Sequence, residues 1–242
     1  SLLFASLSAV LWFFTTLYAI GYLEGSPHRS RFFGFFSLCV TATMGISLAG
    51  NLITLALFYE LLTLTTYPLV VHRGTRGAIK AGGVYLFYTM FGGAALLFGV
   101  LWFHALAGPL EFVTGGAIGH LLGEHTMALR SIFVLLLLGF GIKAALVPLH
   151  GWLPIAMIAP APVSALLHAV AVVKAGAFGI MRLVFDVFGM ELSAALGLNM
   201  LLLLWAALTI LYGSFQALRQ NDLKRRLAFS TVSQLSYIVL GV

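Results

Sequence analysis

Long apolar runs, each of about 20 residues and almost free of charge, are the feature that most constrains how this chain can fold. A helix rises about 1.5 Å per residue, so such a run can cross the roughly 30 Å hydrocarbon core of a bilayer. Of the 242 residues, 61% are hydrophobic and only 8% are charged, whereas a soluble domain carries about 25% charged residues. The sequence therefore predicts an integral membrane protein.

The apolar runs predict an all-α, polytopic membrane bundle of about eight helices, one of them discontinuous. Transmembrane strands are not supported, because the runs are too long and lack the alternation of a membrane barrel. Backbone groups in lipid must be satisfied internally, which leaves helices. The predicted spans lie near residues 2–22, 32–49, 52–71, 81–103, 129–149, 161–185, 195–217 and 224–242.

The basic residues support this count. Nine of the 13 lysines and arginines fall in alternate loops, on one side of the predicted bundle. Loops rich in Lys and Arg remain in the cytoplasm, so we expect a prokaryotic cytoplasmic membrane with these loops on its cytoplasmic side. The net charge of +6 then reflects topology rather than nucleic-acid binding. The nine are Arg29, Arg31, Arg73, Arg76, Lys80, Arg219, Lys224, Arg225 and Arg226.

The sequence contains no cofactor or metal motif. Its single cysteine, Cys39, excludes a Cys-ligated cluster within the chain, and no Gly-rich nucleotide motif is present. The longest loop, 104–130, carries His120, Glu124 and His125, but their spacing matches no standard zinc pattern. We therefore expect a solvated, Gly-rich loop there, without bound metal.

Three charged residues, Glu60, Lys143 and Lys174, lie within the predicted spans away from the loops and span ends. Each such residue costs about 2.5–3.5 kcal/mol at a helix centre on insertion scales, so a functional reason is expected. Lys174 lies on the order of 20 Å from the inner end of its span and cannot easily reach an interface. Lys143 either extends to the inner surface or forms an ion pair between spans with Glu60.

His168 lies six residues before Lys174. On a regular helix the two are about 9 Å apart along the axis and about 120° around it, so they would not share a face. Two interpretations of His168 remain open: a buried histidine that is hydrogen-bonded to a carbonyl, and a histidine on a hydrated path. Gly176 and Gly179, close to Lys174, are predicted to permit close helix approach.

Four prolines predict a break in span five, near residues 143–155, and an irregular connection to span six. A broken helix at membrane depth either lines a cavity or is buried in protein. The cavity is the favoured interpretation here, and an ordinary turn between two spans is the alternative. The prolines are Pro148, Pro154, Pro160 and Pro162.

Three motifs in this order, KAALVPLHGWLP, PAPVSALLHAVAVVKAG and NDLKRRLAFSTVSQLSYIVLG, resemble the antiporter-like, proton-translocating membrane subunits. These subunits occur in respiratory complex I, Mrp-type Na+/H+ antiporters and membrane-bound hydrogenases. The resemblance covers essentially the whole chain, as the third to about the tenth helix of a roughly fourteen-helix subunit. The combination of His168 and Lys174 looks most like an Mrp-antiporter or hydrogenase-type subunit.

The resemblance implies roles and boundaries. Glu60 and Lys143 match the family's carboxylate and its broken-helix lysine, His168 and Lys174 match the next stations of a proton path, and Lys224 matches the opening of a second half-channel. Residues 1–30 would be a leading helix, 31–187 a first five-helix repeat and 188–242 the start of an inverted second repeat, within a longer protein. Where the family commonly has an acid, this chain has Ile155.

These features predict a proton-translocating subunit of a multisubunit membrane complex, with other membrane subunits as partners. Its Glu/Lys/His relay would be coupled to Na+ movement or to redox chemistry in those partners, and no cofactor would be bound by the chain. Two alternatives remain, a stand-alone secondary transporter with a solute site at the broken helix and a structural scaffold. No nucleophile–base pair points to an independent enzyme.

Overall fold

A computed structural model describes residues 1–109, 111–116, 118–119, 123 and 125–242. The described residues form helices and turns, with one isolated bridge between Asn51 and Glu111. The helices are α1 Leu2–Tyr22, α2 Arg29–Leu48, α3 Leu52–Val70, α4 Arg76–Ala107, α5 Thr126–Lys143, α6 Trp152–Ala156, α7 Ala161–Ala165, α8 Val172–Arg182, α9 Met190–Ala195, α10 Leu198–Leu218 and α11 Leu223–Leu240. Two π-helical segments, Leu166–Val170 and Leu183–Phe188, flank α8.

The predicted all-α membrane bundle is confirmed. Among the described residues, seven helical segments are long and apolar enough to cross a membrane. The eighth predicted span corresponds to α11, which is helical over 18 residues. Its first turn carries three consecutive basic residues, 224–226, which make that end of the helix suited to the membrane surface rather than to hydrocarbon.

Polar side chains define where several helices begin. Asn51 accepts a hydrogen bond from the Thr54 amide at the start of α3, and Asp222 accepts one from the Arg225 amide at the start of α11. Such caps satisfy amide groups that have no partner within the helix. The side chains therefore fix the ends of spans whose interiors are apolar.

The sixth span, 161–188, forms the centre of the bundle. Its most apolar window is 78% buried, against 11% for α1, which lies at the periphery. At the α5–α8 contact, a Cβ on Gly176 would collide with the backbone of Lys143 and Ala144, and one on Gly179 would collide with the Phe140 ring. The close approach predicted for these two glycines is confirmed, and it brings α8 against the end of α5.

The break in span five lies within the predicted range 143–155, but the span itself was predicted too long, at 129–149. Helix α5 ends at Lys143, and helical structure resumes at Trp152. Ala145 adopts a left-handed conformation with φ of 59°, and the Leu146 amide donates to the Gly141 carbonyl. The α-helix thus ends five residues before Pro148, because the backbone reverses at Ala145.

Span six contains an interruption that the sequence did not predict. The chain is π-helical over Leu166–Val170, and Ala171 then departs from helical geometry with φ of −129° and ψ of −72°. Ser8 on α1, itself fully buried, donates to the Val170 carbonyl at 3.0 Å. The premise of a regular helix, on which the predicted spacing of about 120° between His168 and Lys174 depends, is therefore wrong.

Most described residues of the loop between α4 and α5 are exposed, as expected for a solvated loop, but parts of the loop are bonded to the bundle. The Phe112 amide donates to the Gly50 carbonyl, and the Val113 and Gly115 amides donate to carbonyls at the end of span six. Ile118 is fully buried. His120 and Glu124, which we considered as metal ligands, lie outside the described residues.

Candidate functional site

Lys143 is buried at the last residue of α5, with 1% of its surface exposed. Its Nζ donates to the backbone carbonyl of Tyr59 on α3, and lies 3.4 Å from the centroid of the Tyr59 ring. A carbonyl oxygen and an aromatic face both stabilise an ammonium group. The alternative in which Lys143 extends to the inner surface is therefore wrong.

Tyr59 also binds the helix that carries Lys143. Its hydroxyl lies 3.2 Å from the Gly139 carbonyl oxygen and 3.4 Å from that of Phe140, so it donates to the last turns of α5. These carbonyls are near the helix end, where Trp152 Nε1 also donates to the Ile142 carbonyl at 2.7 Å. Tyr59 thus positions both the backbone and the ammonium group of α5.

The direct ion pair predicted between Glu60 and Lys143 is not formed. The one ion pair among the described residues joins Arg182 and Asp186. The Glu60 carboxyl group instead faces Gly93 on α4, where a Cβ would lie 2.5–2.6 Å from three carboxyl atoms. The pair is absent because the ammonium group binds the carbonyl of the preceding residue, Tyr59.

Glu60 Oε1 is buried and has no hydrogen-bond partner. Burial of a carboxyl oxygen without a hydrogen bond is costly, and its charge state then depends on any cation that approaches. Lys143 is bound at the adjacent residue of the same helix. The structure thus places a buried cation near a carboxyl group with one buried oxygen, without a salt bridge between them.

His168 lies on the first π-helical segment and contacts the turn after α6. Its Nε2 is 2.8 Å from Met157 Sδ. Because a thioether sulfur only accepts, Nε2 is the donor, and Nδ1 of the neutral ring is then the acceptor. Nδ1 is buried without a hydrogen-bond partner, so the Met157 contact leaves a proton acceptor unoccupied.

Lys174 lies on α8, three residues after the interruption at Ala171, and is half-buried. It forms no ion pair with any described residue. Gly176, two residues later, packs directly on the backbone of Lys143 and Ala144. Lys174 therefore belongs to the helix in contact with the end of α5, where Lys143 is located.

Lys224 connects α11 to the same turn that contacts His168. Its Nζ donates to the Ala159 carbonyl at 2.8 Å and to the Met157 carbonyl at 3.3 Å. Met157 thus contacts His168 through its sulfur atom and Lys224 through its backbone. The structure brings these two predicted residues into contact with one turn, 157–159.

Aromatic and hydroxyl side chains hold the broken segment in place. Trp205 Nε1 on α10 donates to the Val147 carbonyl, and the Val147 amide donates to Thr209 Oγ1 at 3.2 Å. Ile155, where the resemblance implied an acid, is 45% exposed. The segment is thus held by α10 and by Trp152 without an acidic residue at this position.

The ionisable groups of this arrangement range from buried, at Lys143, to half-buried, at Lys174. Sequence reasoning found the ionisable residues but missed Tyr59, Gly93 and Met157, which position them. For Tyr59 the available signal was its position directly before Glu60. For Met157 it was the position shortly after the predicted break. Gly93 carried no signal, because only the packing of α3 on α4 brings it to Glu60.

The proteins similar to this chain include subunits of oxidoreductases, antiporters and respiratory membrane complexes. A chloroplastic NAD(P)H-quinone oxidoreductase subunit 5 from Chaetosphaeridium globosum is 37% identical over 231 residues, which cover 93% of this chain and 34% of the relative. A putative antiporter subunit from Staphylococcus epidermidis is 34% identical over 248 residues, which cover 100% of this chain and 30% of the relative.

One similar solved structure is the membrane-bound sulfane sulfur reductase, an archaeal respiratory membrane complex. One of its chains superposes with a TM-score of 0.82 at 27% identity, covering 98% of this chain and 48% of the other. This chain thus spans about a third of the length of the two relatives and about half of the superposed chain. The family model for the transmembrane part of NADH:quinone oxidoreductases and Mrp antiporters matches residues 49–242, and the chain belongs to that family.

Proposed function

We propose that this chain forms part of a proton-translocating subunit of a multisubunit membrane complex. The observation that carries the proposal is the fully buried Lys143 ammonium group beside the buried, unpartnered Glu60 carboxyl oxygen. Two ionisable groups inside an apolar bundle are costly, and proton relays are a known reason for such a cost. The relatives named above are subunits of an oxidoreductase and of an antiporter.

In the proposed relay, protons pass among Glu60, Lys143, His168 and Lys174. Lys143 alternates between the Tyr59 carbonyl, where it lies here, and the Glu60 carboxylate. The charge on Glu60 favours protonated Lys143, and its loss favours release of the proton toward the next groups. The open Nδ1 of His168 is the acceptor on that route.

The proposal also includes the repeat boundaries, the orientation in the membrane and the driving force. Residues 1–30 form a leading helix, 31–187 a first repeat and 188–242 the start of a second, in which Lys224 belongs to the next half-channel. The end of the bundle that carries Arg29, Arg73 and Arg225 faces the cytoplasm of a prokaryote, consistent with the positive-inside rule. Na+ exchange or redox chemistry in partner subunits drives the flux.

Replacement of single relay residues tests the proposal. In the full-length protein within its complex, reconstituted into vesicles, Glu60→Gln and Lys143→Ala should each lower proton flux by at least about tenfold, as expected for a positioned proton-transfer group. Flux is measured with a pH-sensitive dye trapped inside the vesicles. Lys80→Ala is the matched control, because Lys80 is exposed at the end of the bundle.

Assembly of each variant complex is measured in parallel by size-exclusion chromatography. Normal assembly with selective loss of flux supports the relay. Full flux in both variants, or loss of flux only where the complex fails to assemble, contradicts it and favours the scaffold alternative.

A further inference from the structure

A basic cavity of about 610 Å³ opens at one end of the bundle. Its walls come from the turn between α1 and α2, the turn between α3 and α4, and Pro160 before α7. The ionisable side chains among its lining residues are those of Tyr22, His28, Arg31, His72 and Arg73, so the lining includes no carboxylate.

The two arginines of this cavity are partly engaged by the protein. Arg31 Nη2 donates to the His72 carbonyl at 3.4 Å, and Arg73 Nη2 donates to the Tyr22 hydroxyl at 3.3 Å. Neither forms an ion pair with a described residue. These single contacts orient the guanidinium groups across the cavity and leave other N–H donors of each group available.

His72 also lines the cavity. Its ring packs edge-on against Phe32, with 5.2 Å between centroids, and its Nδ1 is buried without a hydrogen-bond partner. Burial, together with the charges of Arg31 and His28, holds the pKa of His72 below its ordinary value. An anion in the cavity would offset this concentration of positive charge and offer acceptor oxygens to the donors.

The cavity lies at the level where the spans leave the membrane. Helix α1 ends at Tyr22 and α3 ends at Val70, while α2 begins at Arg29. Tyr18 and Tyr22 form an exposed aromatic pair on α1, of the kind enriched at membrane interfaces. Next to the cavity, α1 presents an exposed apolar surface toward the lipid.

We propose that this cavity binds the phosphate group of an anionic phospholipid, with Arg31 and Arg73 as its guanidinium ligands. Phosphate has the tetrahedral oxygens that arginine donors match, and basic pockets between membrane helices are suited to anionic headgroups. The position at the interface favours a lipid over a soluble anion, because the acyl chains can lie along the apolar surface of α1. This inference does not depend on the proposed proton relay.

Lipid binding to the purified full-length protein tests the proposal. The probes are phosphatidylglycerol, phosphatidylcholine as the lipid without net charge, and glycerol 3-phosphate as a headgroup without acyl chains. Binding is measured by titration with native mass spectrometry. We expect phosphatidylglycerol to bind most tightly, and the Arg31→Gln/Arg73→Gln double variant to weaken this binding by at least about tenfold.

Arg219→Gln is the matched control, since Arg219 is an exposed arginine whose guanidinium group lies over the Phe215 ring, away from the cavity lining. The Arg31→Lys/Arg73→Lys variant retains the charge and serves if the glutamine variant does not fold; it should weaken binding several-fold, because lysine lacks the paired donors. Equal loss in Arg219→Gln, or no loss in either double variant, overturns the site. Equally tight binding of glycerol 3-phosphate overturns the assignment to a lipid.

Discussion

At the scale of single residues, the site depends on two uncharged residues, Tyr59 and Gly93. Tyr59 supplies the carbonyl and the ring that hold the Lys143 ammonium group. Gly93 supplies the space that the Glu60 carboxyl group occupies. The positions of a buried cation and a buried carboxyl group are thus set by one aromatic residue and one residue without a side chain.

Gly93→Ala should disturb the carboxyl group directly. The new methyl group would lie 2.5–2.6 Å from three Glu60 carboxyl atoms, so the carboxyl group must move. Misplacement of a reacting group by about 1 Å can cost about 100-fold, and we expect proton flux in vesicles to fall by about tenfold or more. Unchanged flux would argue against a positional requirement for Glu60.

Gly83→Ala is the control for this prediction. Gly83 lies on the same helix, is exposed, and has no heavy atom within 4 Å of the Cβ position. Alanine in place of glycine stabilises a helix interior by about 0.5–1 kcal/mol. This variant should therefore keep its flux and its thermal stability.

At the scale of elements, the two interruptions in spans five and six are held by neighbouring helices. Trp205 on α10 donates to the Val147 carbonyl in the first interruption, and Ser8 on α1 donates to the Val170 carbonyl in the second. Carbonyl groups released from a helix within a membrane must be satisfied by the protein. The peripheral helix α1 therefore contributes to the centre through one buried hydroxyl group.

Lys224→Gln should release the turn 157–159 from α11. Its ammonium group binds the carbonyls of Met157 and Ala159, and charge-assisted bonds contribute roughly 1.5–3 kcal/mol each. We expect a lower midpoint of thermal unfolding in detergent, measured by tryptophan fluorescence. The neighbouring Arg225→Gln, at an exposed position, should leave that midpoint unchanged. Equal midpoints for the two variants would show that the contact is not stabilising.

At the scale of the whole molecule, the charged loops and the bundle form a consistent topology. The first turns of α2, α4 and α11, with the turns that precede them, carry most of the basic residues, whereas the span interiors retain only a few ionisable groups. The cavity proposed for a lipid phosphate is formed by two of these turns. Arg31 and Arg73 thus belong both to the proposed cytoplasmic side and to the proposed headgroup site.

Cysteine labelling in cells tests this topology. Arg76 lies at the start of α4 and the 73% exposed Met127 lies at the start of α5. A maleimide that cannot cross the membrane should label Met127→Cys in intact cells, and Arg76→Cys only after permeabilisation. The unsubstituted protein gives the background, which Cys39 should not raise because it is fully buried. The reverse pattern would invert the proposed orientation.

The sequence by itself determined the bundle of helices and the ionisable residues within it. Both follow from local chemistry: apolar length specifies a span, and a charge within a span is costly wherever the helix packs. The break near Lys143 was also predictable, because proline cannot continue a regular helix. The end of α5 at Lys143 was not, since it depends on the backbone reversal at Ala145.

Only the tertiary structure decided which groups these charges contact. Lys143 binds the Tyr59 carbonyl rather than Glu60, Glu60 faces Gly93, and His168 contacts Met157. Each contact joins two helical segments, or a segment and a turn. The sequence indicates the relative rotation of these elements only through the expectation that opposite charges pair. Packing of α3 against α4 and α5 sets that rotation, so a backbone carbonyl and a glycine, neither visible as a motif, complete the site.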